Sequence, residues 1–328
     1  MKTVLQQLFE YSELSFPEAR QVLLDIADGR YNHAQISAFL SAYLMRPVTV
    51  QELQGFRAAL LELCRPVDFG GAETIDLCGT GGDGKDTFNI STLTAFVVAG
   101  AGYKVTKHGN YGVSSVCGSS NVMEYLGYTF TNEPDLLRRQ LDTAHLTFLH
   151  APLFHPAMKA VAPVRRELGM KTFFNMLGPL VNPARPKFQL VGVYSLELAR
   201  LYKYILEQGE QEFSIVHSLD GYDEISLTGP FRIISRTEDR LYQPGEIGFR
   251  KLDPADLYGG ATVEAAAQIF TRVLQGEGTP EQHEVVLGNA TLAIRTITGH
   301  ALAEARAQAE ASLLGGKAYQ TLKKLIDN

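Results

Sequence analysis

The chain of 328 residues contains no tryptophan and only three cysteines. Cys64, Cys78 and Cys117 stand far apart and form no C-x-x-C pair, so neither a disulfide framework nor a cysteine zinc site is expected and the thiols are read as reduced. A run of 18 apolar residues is missing, which argues against a membrane-spanning helix. The opening MKTVLQQLFEYSELSF mixes acids and polar residues into its apolar positions, unlike a secretory leader. There is no basic excess either: the net charge is −6, with acids and bases dispersed. This disfavours nucleic acid as a main partner, because neutralising phosphates requires clustered Lys and Arg. Low-complexity tracts and internal repeats are also absent. A cytoplasmic globular protein is expected, one that must meet any small anion by local design.

What is present changes texture along the chain. From Thr3 to Cys64 the apolar residues recur at helical spacing, as in Val22, Leu23 and Ile26 or Phe39, Leu40, Tyr43 and Leu44, with breaks at Gly29 and Pro47. After Pro66, the short β-prone runs ETIDLCG, GYKVTKHG, LTFLHA, FQLVGVYS and FSIVHSL alternate with amphipathic stretches opening at Thr92, Asn121, Leu196 and Ala261, and Pro280 to Ile326 reads as closing helices. The pattern predicts an α/β protein: a small N-terminal helical bundle domain over residues 1–65 and a larger domain over 66–328. The larger domain should hold a mainly parallel β-sheet flanked by helices, with its reactive loops at the C-terminal ends of the strands.

The stretch DLCGTGGDGKDTFNIST, Asp76 to Thr92, invites two phosphate-loop readings. Gly79, Gly81 and Gly84 fit the dinucleotide fingerprint G-x-G-x-x-G, while Gly79, Gly84 and Lys85 nearly complete a P-loop. A dinucleotide turn carries its third glycine into the helix, but here Lys85, Asp86, Thr87 and Phe88 follow without a helical stripe, and the apolar helix is expected only from around Ser91 to Thr94. A P-loop needs a hydroxyl after its lysine, where this chain has Asp86. Both readings fail. An ordinary glycine-rich turn explains the glycines but not the hydroxyls and amides beyond them. Asn89, Ser91 and Thr92 lie where a helix should start, so its open N–H groups and these side chains make an anion site. Gly79, Gly81 and Gly82 let the backbone approach a ligand, and Asp83 can accept from a hydroxyl. The expected ligand is a phosphorylated ribose or a diphosphate.

The next strand runs into KHGNYGVSSVCGSSNVMEYLG, Lys107 to Gly127, at the same sheet edge. Taken alone, its serines and glycines are ordinary loop formers. Together with HPAMKAVAPVRRELGMKTFFNMLGPLVNP and DGYDEISLTGP, however, the two loops make the chain resemble the anthranilate phosphoribosyltransferase family. The four motifs run in family order from Gly79 to Pro230, the helical first 65 residues match as well, and the resemblance implies a helical contribution to that first domain from about 156–180.

The resemblance implies transfer of the 5-phosphoribosyl group of phosphoribosyl diphosphate to the amine of anthranilate, releasing pyrophosphate, in tryptophan biosynthesis, with Mg²⁺ as cofactor. The missing tryptophan fits such an enzyme. By the same resemblance the donor is held by Gly79, Gly82, Asp83, Thr87, Asn89, Ser91, Thr92, Lys107 and Ser119, the ammonium and hydroxyl of the last two suiting phosphate. Anthranilate falls to Gly79, His108, Asn110, His155, Arg165, Gly178 and Pro179, a guanidinium being a sensible partner for an aromatic carboxylate. Singly, His108 and His155 read better as packing histidines, and Arg165 as an exposed helix arginine beside Arg166 and Glu167. Asp223 and Glu224, just after Asp220 and before a strand-like stretch, would on their own be surface acids. Facing a diphosphate they would repel it unless a cation lay between, so the family pattern assigns them to the metal with Ser91.

The chain departs from that pattern at Tyr111, where arginine usually follows KHGN; at Val116, where a lysine is common; and at Ser119, Ser120 and Asn121, where Ser-Ala-Asp is usual. The lost charge is expected to alter the ordering of the 109–117 loop or the hold on pyrophosphate. Lys159 is expected near the aromatic substrate. The implied reaction needs no protein nucleophile: the neutral arylamine attacks C1 of the ribose and loses its proton afterwards, and alignment alone can contribute on the order of 7 kcal/mol. Two other readings share the architecture. A pyrimidine nucleoside phosphorylase would carry arginine-containing nucleoside motifs, which are absent. A non-catalytic nucleic-acid-binding relative would show a basic surface and eroded motifs, whereas this chain is acidic and keeps Asn110, Arg165, Asp223 and Glu224. The family pairs through its helical domain, which implies a homodimer with no membrane attachment, and the substrates are expected at the cleft between the domains.

Overall fold

The computed structural model describes residues 1–112 and 117–327; Val116 and its neighbours Ser114 and Ser115 lie outside them. The chain forms two compact units, Met1–Val67 with Ala151–Arg185, and Asp68–His150 with Pro186–Asn328.

The first unit opens with helices α1 (Lys2–Phe9), α2 (Phe16–Ala27), α3 (His33–Met45) and α4 (Val50–Leu63). Reciprocal caps start three of them, Ser15 with Glu18, Asn32 with Gln35 and Thr49 with Glu52, satisfying N–H groups that a first turn leaves open. Val22, Leu23, Ile26, Phe39, Leu40 and Tyr43 are buried, while Leu44, expected in the same stripe, is exposed. Gly55 lets α4 lie directly on α2: a Cβ there would stand 2.6 Å from the Phe16 carbonyl oxygen and 2.8 Å from Ala19 Cβ. Glu52 is fully buried yet saturated, accepting from the Leu14 N–H and the Tyr43 hydroxyl, each at 2.9 Å, and pairing with Arg46. The returning segment brings helices Ala151–Phe154 and Met158–Leu168 and 3₁₀ turns at Phe173–Met176 and Gly178–Leu180. Phe173 stacks on Phe56 with ring centroids 4.4 Å apart, and Phe39 and Tyr43 meet it edge-on.

The second unit is built on seven strands, β1 (Ile75–Gly79), β2 (Val105–Gly109), β3 (Leu146–His150), β4 (Phe188–Gly192), β5 (Glu212–Ser218), β6 (Phe231–Ile234) and β7 (Asp239–Tyr242), in the order β3-β2-β1-β4-β5-β6-β7. The first five are parallel and match the five apolar runs; β6 and β7 are antiparallel. These last two, FRII and DRLY, escape a sequence reading because each is four residues long and carries charge. A second difference concerns the stretch after Glu224, which is expected to be strand-like and is irregular. Leu227 has φ 60, and the Ile225 peptide bonds to a side chain instead of a neighbouring strand.

Helix α5 (Ile90–Gly100) is apolar on nearly every face and packs against the sheet and the closing helices Pro280–Thr298 and Lys317–Ile326. From β1 the chain steps to β2 and β3 on one side; β4 and β5 extend the sheet on the other. The switch point between β1 and β4 is where parallel α/β sheets place ligands.

Candidate active site

At that switch point two glycines face one another. Parallel β1 and β4 pair Gly79 with Gly192 at their C-terminal ends. Both lack a side chain where the segment following β5 crosses the sheet edge. A Cβ on Gly79 would come within 2.1 Å of Asp223 Oδ2, and one on Gly192 within 1.5 Å of the Asp223 carbonyl oxygen. The notch therefore seats Asp223 against the glycine loop, and the Gly81 N–H donates to its Oδ2 at 2.7 Å. Gly81, Gly82 and Gly84 adopt φ of 65, 83 and 71, a backbone that side chains disfavour. Asp86 shares that region at φ 49, its carbonyl accepting from the Gly259 N–H at 2.9 Å. The Phe88 N–H donates to Leu257 at 2.9 Å, so the loop is pinned before α5 begins at Ile90.

Electrostatically this corner is unrelieved. Burial, together with the Asp83 carboxylate, pushes Asp223 up to about 7. Burial and then the charges of Asp223 and Asp83 push Glu224 well above the carboxylate range. Glu224 Oε1 and Asp83 Oδ2 have no hydrogen-bond partner among the described residues. Crowded, desolvated carboxylates with unused oxygens suit a divalent cation. Among the described residues no group of three or more His, Cys, Asp or Glu is arranged to hold a metal ion. Mg²⁺ typically takes one or two carboxylates together with substrate phosphate oxygens.

The remaining donor-side residues gather at the same edge. Lys107, on β2, is buried and donates to the Leu77 carbonyl and, at 3.4 Å, to Ser91 Oγ. Burial pulls its ammonium down, and the neighbouring Cys78 and Asp76 oppose this. Asn89 precedes α5, and its Nδ2 donates to the Cys117 carbonyl at 3.0 Å, tying the two loops together. Thr92 is buried in the first turn, and Gly82 and Thr87 are half-buried.

His108 is buried with its N–H on Asp76 Oδ1 at 3.1 Å. The carbonyl of exposed Asn110 accepts from Ser119 Oγ at 3.2 Å and the Ser120 N–H at 3.3 Å. Two of the departures from the family pattern, Tyr111 and Asn121, make local contacts. Asn121 Oδ1 accepts from the Gly112 and Gly118 N–H groups, both at 3.0 Å, so a neutral amide joins the two ends of the loop. The Tyr111 hydroxyl donates to Glu124 Oε1 at 2.6 Å while its ring sits edge-on to His150.

The helical unit carries the other expected acceptor residues. Burial pushes His155 down to about 4, so its imidazole is neutral at pH 7. Arg165, on the helix Met158–Leu168, is not the exposed arginine that its neighbours suggest. Its Nη2 donates to Asn175 Oδ1 at 3.2 Å, its guanidinium lies 5.4 Å from the Phe174 ring centroid, and burial lowers its pKa. Its Nε has no partner among the described residues, whereas Arg166 and Glu167 are exposed. Gly178 and Pro179 form the turn Gly178–Leu180, and a Cβ on Gly178 would meet nothing within 4 Å. Lys159 is exposed. Gly192 and Asn175 are the neighbours that sequence reasoning missed. A glycine closing the run FQLVG is the one available signal for the first, since such glycines mark close backbone approach.

A helical bundle unit and a mainly parallel sheet with a glycine notch and crowded acids at its switch point are the parts of a sugar-phosphate transferase. Residues 2–64 match the family described as glycosyl transferase family, helical bundle domain, and residues 71–319 match its a/b domain. Within this class the chain belongs to the anthranilate phosphoribosyltransferase family. It is 56% identical over 327 residues to the anthranilate phosphoribosyltransferase of Cytophaga hutchinsonii, covering 99% of this chain and 100% of that one. With the enzyme of Flavobacterium johnsoniae it shares 55% over 325 residues, covering 99% and 98%. Among solved structures, anthranilate phosphoribosyltransferase from Thermus thermophilus superposes with a TM-score of 0.91 at 32% identity, covering 98% of both chains. The Saccharomyces cerevisiae enzyme in complex with PRPP and Mg gives 0.91 at 28%, covering 98% of this chain and 96% of that one. Among the described residues no helix is long and apolar enough to cross a membrane.

Proposed function

We propose that this chain transfers the 5-phosphoribosyl group of phosphoribosyl diphosphate to the amine of anthranilate, giving N-(5-phosphoribosyl)anthranilate and pyrophosphate. The observation that carries this reading is the notch of Gly79 and Gly192, which seats Asp223 against an amide-rich loop suited to a diphosphate. The loop from Gly79 to Thr92 and the start of α5 bind the donor, with Lys107 and Ser119 beside them. Asp223 and Glu224, with Ser91, would hold Mg²⁺, which would offset the negative charge of the diphosphate. The backbone amides of the loop stabilise the same charge as it develops.

Arg165 takes the carboxylate of the acceptor, and its unused Nε supports that role. The family resemblance assigns the acceptor also to His155, Gly178 and Pro179 of the helical unit and to His108 and Asn110 of the larger unit. The amine nitrogen forms a bond to C1 of the ribose as the bond from C1 to the diphosphate oxygen breaks, through an oxocarbenium-like transition state. The ammonium then loses its proton. No side chain serves as a nucleophile, and orientation is the main contribution of the protein.

The chain acts in the cytoplasm as a homodimer paired through its helical unit. Exposed Phe9, Tyr11, Phe16, Leu44 and Met45, all within the first 45 residues, support that surface. The deciding experiment mixes purified protein with anthranilate, phosphoribosyl diphosphate and Mg²⁺ and follows anthranilate fluorescence. A loss requiring all three components, with the KM for anthranilate raised about tenfold or more in Arg165→Ala, is expected. No loss with folded protein would overturn the reading.

A further inference from the structure

The backbone after Glu224 is held by side chains from elsewhere in the unit. Asn289, buried in the helix Pro280–Thr298, takes both polar groups of residue 225. Its Oδ1 accepts from the Ile225 N–H at 3.1 Å, and its Nδ2 donates to the Ile225 carbonyl at 2.9 Å and to the Val285 carbonyl at 2.8 Å. One amide side chain thus replaces a neighbouring strand. From the other side Ser218, fully buried at the end of β5, donates to the Glu224 carbonyl at 2.6 Å and accepts from the Ser226 N–H at 3.2 Å. The hydroxyl chain continues through Ser226 and Thr228, 2.7 Å apart, to Asp220. Leu227 keeps its left-handed φ while the Leu252 N–H donates to its carbonyl at 2.9 Å.

We infer that Asn289, together with Ser218, is a positioning residue for the Asp223–Glu224 carboxylates, setting the affinity for a divalent cation and for the diphosphate that accompanies it. The reason is mechanical. Two crowded carboxylates in a desolvated corner relieve their repulsion by moving apart, by keeping a proton or by binding a cation. Clamping the peptide groups on both sides of Ile225, directly after Glu224, opposes the first option, so a cation that displaces the proton meets carboxylates already in place. The inference rests on the reading that Asp223 and Glu224 face the cation.

The test uses the full chain and Mn²⁺ as probe, titrated by electron paramagnetic resonance with and without phosphoribosyl diphosphate. Asn289→Leu keeps the branched shape of the side chain and removes both hydrogen bonds to the peptide groups of residue 225; Ser218→Ala removes the hydroxyl, and Ser218→Thr keeps it. With native circular dichroism, Asn289→Leu and Ser218→Ala should bind Mn²⁺ about 10–100-fold more weakly, as is usual when a ligand's supporting bonds are lost. The KM for the diphosphate should rise in step while the KM for anthranilate stays within about threefold, and Ser218→Thr should recover most of the affinity. A purely structural role would lower the melting temperature and leave Mn²⁺ binding unchanged. Folded variants that bind Mn²⁺ within about twofold of the parent, while Glu224→Gln is impaired, overturn the inference. If Glu224→Gln also binds normally, the metal assignment itself fails. Should Asn289→Leu not fold, Ser218→Ala decides by the same criterion.

Discussion

Gly192 and Asp223 approach so closely that a methyl group on the first would stand 1.5 Å from the carbonyl oxygen of the second. The acidic segment is therefore shaped by a glycine on a different strand. Gly192→Ala must push residues 223 and 224 off the edge of β4, with an overpacking cost of about 1–3 kcal/mol. Turnover should fall by about 100-fold or more, because a displacement on the order of 1 Å is enough. Gly178→Ala, with open space around it, should change stability by less than about 0.5 kcal/mol. Thermal melts and the fluorescence assay on both variants check this, and normal turnover in Gly192→Ala would refute it.

The crowding of Asp83, Asp223 and Glu224 predicts opposite effects on function and stability. Asp223→Asn and Glu224→Gln should cut turnover and blunt the response to Mg²⁺ more than any histidine substitution does. Without ligands, the same variants should be more stable by about 1 kcal/mol, since a repulsive, desolvated charge has been removed. Unchanged activity and Mg²⁺ response in both would sink the metal assignment, and lower melting temperatures would sink the electrostatic account.

His155 makes stability depend on pH. Burial holds its folded pKa at about 4, against an ordinary value of 6.5. The unfolded chain then binds a proton that the folded one refuses, so stability is intact above about pH 6.5 and declines as pH falls toward 4. At 1.36 kcal/mol for each pH unit across that window the loss approaches about 3 kcal/mol. Urea titrations at pH 7 and 4.5 should show a smaller decline in His155→Gln. Equal declines in both proteins would contradict the assignment.

Glu52 and Arg46 form a buried pair with Tyr43 bonded to the same carboxylate. Glu52→Ala strands the Arg46 guanidinium and the Leu14 N–H, and should cost about 3–5 kcal/mol. Denaturant unfolding measures it. A loss below about 1 kcal/mol would mean that the pair is solvated in solution.

Much of the architecture was legible because it is local. The caps Ser15, Asn32 and Thr49 lie three residues from their partners, and the apolar periods of α2 to α4 and the five parallel strands need only near neighbours. The positive φ of Gly81, Gly82 and Gly84 and the helix start after Asn89 were legible because those residues are nearly consecutive. Arg165 was read correctly as lying among solvated neighbours, but its own contact with Phe174 and Asn175 depends on how the following turns fold back. The irregular course of Ile225 to Leu227 was hidden for the same reason: Asn289, 64 positions away, supplies the bonds that a strand partner would have made.

The sequence by itself determined the helical bundle, the parallel α/β texture, and the residue types able to hold a diphosphate and a cation, since periodicity, capping and glycine placement act over a few residues. Only the tertiary structure decided that Gly79 and Gly192 share a register and open one notch, and that Asp83, Asp223 and Glu224 crowd one another beside it. It also decided that a distant asparagine holds the Ile225 backbone directly after Glu224. Those outcomes follow from packing and from the sharing of solvent-excluded space, which link residues by distance in the fold and not by their order in the chain.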